Sequence, residues 1–462
     1  MLAQTQTARR ALSAAFLLVS AGMVLLTASR SLIFGSASGG WTYSYVSGFR
    51  ADAVLTGIIV GVAVAVLLWY SRTLIDQYEL LVVGGWVAVG FAGQLVLHFF
   101  YVYGIADIVR SQNANPFYNV SLAFKSYDFL SQYHALMTSM PAHVKTNMPG
   151  KVLFYEGLRF FTENPTGLGI VIVGISDLGG VLVYFLVKEL YNNRAVSLSS
   201  LVLYLFIPAK VYFLPLLNIV SAIPVILALL LLVKFLRTRH RALASFLGFA
   251  VYAAAFFDPL TLALAPFFLV LIIRAWRLGQ AGFGDVLTLL GWAGIGFTIP
   301  EIGVWIFFHF ELFRGLAAIS ADARQFYINY GRPYEVWLWV NLYEFFLNAG
   351  VASSIACLMY AAVVIGRRIR SAALGAPPDH ALSPHFGIGV LMLATFFATV
   401  VVLDLSGIIR GEVVRLWIFL AIFLEITAAD FCELAGPGIA EIVVFCSIVQ
   451  TAAAISMVGF IF

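Results

Sequence analysis

Apolar stretches long enough to cross a bilayer recur along almost the whole of this chain, and that repetition leaves few folds open. A membrane-spanning helix needs about twenty mostly apolar residues, and about thirteen stretches come near that length. They are 11–33, 52–70, 78–104, 167–188, 196–213, 216–235, 242–257, 259–275, 285–308, 336–363, 386–405, 415–431 and 440–461. The stretch 196–213 is short and carries Lys210, and 415–431 contains Glu425 and Asp430. Hydrophobic residues are 62% of the 462 and charged residues only 11%, which is too few to cover a soluble core with a solvated surface. The expected fold is therefore all-α: a polytopic α-helical membrane protein, one integral-membrane domain over 1–462. No internal repeat, low-complexity tract or separate soluble domain interrupts it. Arg9 and Arg10 before an apolar run to Thr27 resemble a leader peptide, and we read that run as a first span. Cys357, Cys432 and Cys446 lie in or beside apolar segments without metal-ligand spacing, so packing is the expected role.

Orientation follows from the short loops. The densest basic cluster is Lys234-Phe-Leu-Arg237-Thr-Arg239-His-Arg241, followed by Arg367-Arg368-Ile-Arg370. Counting spans puts both on one side, together with Arg9-Arg10 and Arg274/Arg277. The positive-inside rule makes that side cytoplasmic, so the N-terminus is expected inside and the C-terminus outside. The loop 105–166, the loop 309–335 and the turn 406–414 then share the external face with Asp258. The basic residues are scattered between apolar runs and form no stripe, which argues against nucleic acid as a partner.

The longest stretch that hydrocarbon cannot accommodate is the external loop 105–166, where the active site is expected. Between Leu122 and Met140 its apolar residues recur at spacings of mostly three, four and seven, as on one face of a helix. Beyond Pro149-Gly150, Leu153, Phe154, Gly157, Leu158 and Phe161 fall on one side of a short helix, with Lys151, Glu156 and Arg159 on the other. That pattern suits an amphipathic helix at the bilayer surface. Asp107 stands at the external end of an apolar span, three residues before Arg110. A carboxylate there can accept a proton from a hydroxyl, and it can equally pair with Arg110 across one turn. Asp128 and Asp258 are the alternative bases. His143, Lys145 and Lys151 surround the Pro-Gly turn, where cations suit a lipid phosphate or ordinary headgroups. Ser406-Gly-Ile-Ile-Arg410-Gly-Glu412-Val-Val-Arg415-Leu-Trp417 carries two arginines on the approach to an apolar span, and Glu412 is one turn from Arg415. In 322–337, Tyr330 and Arg332 belong to an aromatic, arginine-containing segment that suits sugar binding or an interfacial aromatic belt. His134 and His143 form no metal motif.

Several of these residues together resemble the GT-C superfamily of polytopic membrane glycosyltransferases, which includes protein O-mannosyltransferases and aminoarabinose transferases. The likeness rests on Asp107 opening the external loop and on His143-Val-Lys145-Thr-Asn147-Met-Pro149-Gly150-Lys151-Val-Leu. The latter is similar to the His-x-Arg-x-His-Pro-Pro-Gly-x-x-Leu turn of bacterial members. The run from Ser406 to Trp417 and the stretch Trp339-Val-Asn341-Leu-Tyr-Glu344-Phe345 add to it. The likeness covers most of the chain from about residue 78, leaving 1–77 as N-terminal spans ahead of the GT-C-like core. Asp107 stands without the acidic neighbour common in the family, and Asn147 replaces the second histidine of the turn.

The resemblance implies an enzyme that takes a sugar from a polyprenyl-phosphate donor and transfers it to an acceptor hydroxyl on the external face, in a bacterial inner membrane. Asp107 would be the base, in an inverting displacement. Arg415 would hold the lipid phosphate, helped by Arg410, Lys145, Lys151 and His143, and Tyr330 and Arg332 would meet substrate. No cofactor is implied, and a divalent metal finds no acidic pair to hold it. Donor, membrane lipid and a glycan, lipid or protein acceptor are the expected partners. Two other classes fit the composition: a non-catalytic membrane component of polysaccharide assembly, and a lipid or solute transporter. A transporter is expected to carry ionisable groups near the bilayer midplane. In the sequence Glu301 and Glu344 are the main exceptions to apolar spans.

Overall fold

The computed structural model describes residues 6–373 and 384–461. Most of it is helix, and ten helices among the described residues are long and apolar enough to cross a membrane. Two shorter apolar helices, Arg241–Phe257 and Ile439–Ile455, pack among them. So does Ile418–Ala435, which is buried along almost its whole length although it contains Glu425, Asp430 and Glu433. The helices bury a single continuous apolar core, and their outer surfaces leave large side chains such as Leu80, Ile299 and Phe307 exposed, as lipid contact requires.

Several expected spans are broken where the backbone has a reason to break. The stretch 336–363 is two helices, Tyr334–Asn348 and Val351–Ala373, parted at Gly350. The stretch 196–213 divides into Arg194–Leu205 and Pro208–Tyr212, because Pro208 cannot donate to the preceding turn. The segment Leu122–Met140, read as one amphipathic helix, is instead a series of short pieces, with Pro116–Ala123, Ser126–Ser131 and Tyr133–Leu136 followed by a 3₁₀ turn at Met137–Ser139. Apolar spacing marks the buried side of such a segment without requiring its turns to be continuous.

The helix Gly150–Arg159 forms where expected, but with a different face inward. Lys151, Val152, Tyr155 and Leu158 are buried, while Phe160 and Phe161 are exposed. A Cβ on Gly150 would meet the Phe256 carbonyl oxygen at 2.5 Å, so glycine lets this helix start directly against the end of Arg241–Phe257. That approach turns Lys151 into the protein.

The two ends of the helix bundle differ. At one, Arg72 binds Glu433 and Glu441, Lys188 binds Glu79, and Arg237 binds Glu189, while Arg9 lies against Gly436. This end collects the basic loops around Arg9 and Arg237. At the other end three short strands form a sheet in the order β1–β2–β3. β1 (Phe34–Ser36) and β2 (Trp41–Tyr45) make an antiparallel hairpin between the first two helices, and β3 (Val458–Gly459) pairs with β2. The sheet thus ties the N-terminal spans to the end of the chain.

Ionisable groups inside the bundle are more numerous than the sequence exceptions implied. Asp177, in the middle of Pro165–Tyr191, binds the Lys210 ammonium at 2.6 Å, and both side chains are wholly buried. Gln94 donates to the same carboxylate at 2.8 Å. Breaking such a pair leaves an uncompensated buried charge, so it fastens three helices together.

Candidate functional site

Four chain segments far apart in sequence meet at the hairpin end around Glu412. The turn 406–412 leads into Val413–Leu416, and Glu412 sits at its start with φ +59°, a left-handed conformation uncommon for a residue with a side chain. Gly411, at φ +85°, precedes it, and a Cβ there would stand 2.9 Å from the Trp337 ring. Trp337 is completely buried and donates its indole N–H to the Gly39 carbonyl at 2.9 Å, so it wedges the 411 turn against the hairpin. Asn341, one turn further along Tyr334–Asn348, accepts from the Gly411 amide at 3.1 Å and donates to Asp404 and to the Ile409 carbonyl, each at 3.0 Å. The strained turn is therefore held from two sides, which is how such backbone persists at functional sites.

Each Glu412 carboxylate oxygen binds a different arginine. Arg332 Nη2 donates to Oε1 at 2.7 Å, and Arg415 Nη2 donates to Oε2. Arg332 is 3% exposed, lies over the rings of Trp41 and Phe326 at 5.1 and 5.2 Å, and donates to the Arg410 carbonyl at 2.9 Å. Arg410 returns a bond to the Arg332 carbonyl at 3.2 Å and lies over Tyr327 and Tyr334. From the external loop, His143 Nε2 comes to 3.4 Å from Arg415 Nη2. Burial, reinforced by Arg415, lowers the His143 pKa to about 4, so the ring is neutral near pH 7 and can accept from the guanidinium. Burial works to raise the Glu412 carboxyl, but Arg415, His143 and Arg332 outweigh it and bring it down to about 2.

Beside this network stands Glu344, on the same helix as Trp337 and Asn341. Its side chain is fully buried, and neither carboxyl oxygen has a hydrogen bond of normal geometry, although the Gly35 amide of β1 is near. Burial and then the Glu412 carboxylate push it up to about 8, against the pull of Arg332. Tyr43 on β2 is buried with no hydroxyl hydrogen bond of normal geometry, although the Trp41 indole is near, and burial, Glu344 and Glu412 raise it well above its ordinary value. The Nε atoms of Arg332 and Arg415 are also buried without partners, and the Trp41 indole nitrogen has only the Tyr43 hydroxyl near it. Buried polar groups are ordinarily satisfied, so the grouping of several unpaired ones here makes this the candidate site.

Of the residues singled out from sequence, Arg415, Arg410, Arg332 and His143 come together here. Tyr330 is at its rim, exposed, with its ring 4.4 Å from that of Phe326. Lys151 is close enough to help lower the His143 pKa, but its ammonium is taken up by Asp258 at 2.8 Å and Asn147 at 2.7 Å, and Asp258 also accepts from Ser221 at 2.7 Å. Lys145 braces the loop by donating to the Thr138 carbonyl at 2.7 Å. Asp107 is exposed and accepts from the Gly104 amide at 3.1 Å, and no ion pair joins it to Arg110 among the described residues. Asp128 is exposed as well.

Sequence reasoning overlooked Trp41, Tyr43 and the hairpin that carries them. The signal was present: Trp41-Thr-Tyr43-Ser-Tyr45 alternates aromatic and polar residues at period two after a glycine-containing turn, as a strand does. No group of three His, Cys, Asp or Glu side chains suited to a metal ion occurs among the described residues. A scan against protein-family models and a search of curated proteins both find no match for this chain.

Proposed function

We propose that this protein is a GT-C-like membrane glycosyltransferase that uses a polyprenyl-phosphate-linked sugar. The observation that carries the reading is the meeting of His143 with Arg415 at 3.4 Å. These residues come from two of the motifs that carry the resemblance, more than 250 positions apart in the sequence. Around them the arginines outnumber the charged carboxylate: Arg332 and Arg415 share Glu412, and both keep a buried N–H free. A buried excess of guanidinium is suited to a phosphate, which takes two donors from each planar fork.

In this reading thirteen helices cross a bacterial inner membrane, with the basic loops cytoplasmic and the hairpin end, the arginine centre and the C-terminus external. The acceptor hydroxyl attacks the anomeric carbon as the bond from that carbon to the phosphate oxygen breaks, inverting the centre. The leaving phosphate keeps the electron pair, with Arg415 and Arg332 beside it, and the hydroxyl proton passes to a carboxylate, for which Asp107 is the sequence-derived choice. A second reading is a lipid-phosphate-binding component of polysaccharide assembly that transfers nothing. It draws on the exposure of Asp107 and Asp128, neither of which bonds to the arginine centre.

The test is Arg415→Ala in purified protein with a defined polyprenyl-phosphate-sugar. We expect weaker donor binding as well as slower transfer, because the phosphate charge exists in both ground and transition states. Arg415→Lys should recover only part, since a point charge does not reproduce the fork. Normal donor binding by folded Arg415→Ala would remove the phosphate role. Donor binding without any transfer by the natural protein selects the second reading.

A further inference from the structure

We propose that Glu344 is the proton-carrying member of the arginine centre, so that a phosphate-type anion is bound there together with a proton on its carboxyl. The inference rests on reading that centre as an anion site, and it adds a residue and a coupling that the reading does not contain.

The geometry sets up the coupling. Arg332 and Arg415 bring two fixed positive charges, and Glu412, bonded to both, brings one negative charge. Glu344 adds a carboxyl that is fully buried and bonded to no cation among the described residues. With Glu344 ionised the four groups are neutral overall, and an entering anion meets a second buried carboxylate. With Glu344 protonated the group carries one net positive charge, and the carboxyl offers an O–H where the ionised form offers only lone pairs. An anion therefore favours the protonated form, and by linkage the proton favours the anion.

Of the other titratable groups facing this position, His143, Glu412, Tyr43, Tyr343 and the arginines do not change charge over the same range. His143, against Arg415, is neutral above about 4, and Glu412 is ionised above about 2. Tyr43 on β2 is held protonated, as is Tyr343 on Glu344's own helix. Arg332, Arg410 and Arg415 remain cationic. Asp404, from the neighbouring helix, is tied to Asn341 one turn away. Glu344 is left as the group whose titration is coupled to occupancy. A phosphate ester on a lipid and a free tetrahedral oxyanion share the chemistry this centre recognises.

The experiment is calorimetric binding to the purified full chain in detergent, using dihexyl phosphate and, separately, sulfate. Both anions keep a constant charge from about pH 6 to about pH 9, so proton exchange reports the protein. We expect affinity to fall as pH rises through the Glu344 titration, approaching tenfold per pH unit at the limit. Near pH 9, comparison of two buffers with different ionisation enthalpies should give uptake approaching one proton per anion. Glu344→Gln, neutral at every pH, should bind with little pH dependence and no uptake. Arg415→Ala should lose binding of the same probe.

Binding without proton uptake in the natural protein overturns the proposal while leaving the anion site intact, and that measurement needs no variant to fold. A Glu344→Gln protein that retains the natural pH profile does the same. If neither probe binds the natural protein, the anion reading falls and this proposal falls with it. Coupled binding of dihexyl phosphate alone supports a lipid-borne phosphate, and coupled binding of sulfate as well supports a free oxyanion.

Discussion

Asp107 and Glu344 show how differently two carboxyl groups can be placed in one protein. Asp107 is exposed and caps its own short helix through the Gly104 amide, whereas Glu344 is sealed beside the arginine network. If Asp107 is the base, Asp107→Asn should fold and bind donor while transfer drops by roughly 10²–10⁴-fold, the usual loss when a general base is removed. If it only caps Gly104, transfer should stay within a few-fold of normal. Asp128→Asn is the matched exposed control. The assay requires purified protein and a defined donor, because poor expression would imitate a catalytic loss.

Among the elements, the helix Gly150–Arg159 shows how one contact can redirect a motif. Its lysine was expected among the phosphate helpers, yet the ammonium is bonded to Asp258 and Asn147, with its side chain only 3% exposed. Removing one partner of a buried pair generally costs about 3–5 kcal/mol, whereas replacing both with apolar groups of similar volume is often near neutral. Lys151→Ala should therefore lower stability by about that amount, measured by denaturant titration in micelles. The double replacement Lys151→Met with Asp258→Leu should recover most of it. If the pair is purely a brace, the double variant also keeps its affinity for the polyprenyl-phosphate donor. A stable double variant that has lost donor binding would return Lys151 to the phosphate site.

At the scale of the whole molecule, the separation of basic loops from the hairpin end makes topology testable. Cysteine placed at Gln325, exposed near the arginine centre, should react with a membrane-impermeant reagent applied from outside, and cysteine at Thr238 should not. Reaction at 238 alone would invert the arrangement and put the arginine centre in the cytoplasm. A polyprenyl-phosphate donor presented externally would then have no site.

The helical, membrane-embedded character was legible because it depends on local composition: a segment of apolar residues must satisfy its own backbone in lipid, and only a helix does so within one segment. The clustering of basic loops was legible for a similar reason, since each loop's charge is read off its own residues. Arg415 and Glu412 were also within reach, being one turn apart. What local pattern could not supply was the partner across space. Nothing near Lys151 in sequence announces Asp258, and nothing near Asp177 announces Lys210. The hairpin 34–45 lies more than 250 residues from Trp337 and Arg332, yet it closes over both through the Gly39 carbonyl and the Trp41 ring. Sequence composition by itself determined that the chain would be a bundle of apolar helices with two unlike ends. Tertiary packing decided which charges were neutralised in pairs and which, at Arg332, Arg415 and Glu344, were left buried with bonding capacity unused. The physical reason is that burial and pairing are properties of a neighbourhood in space, and in a folded bundle that neighbourhood is drawn from the whole length of the chain.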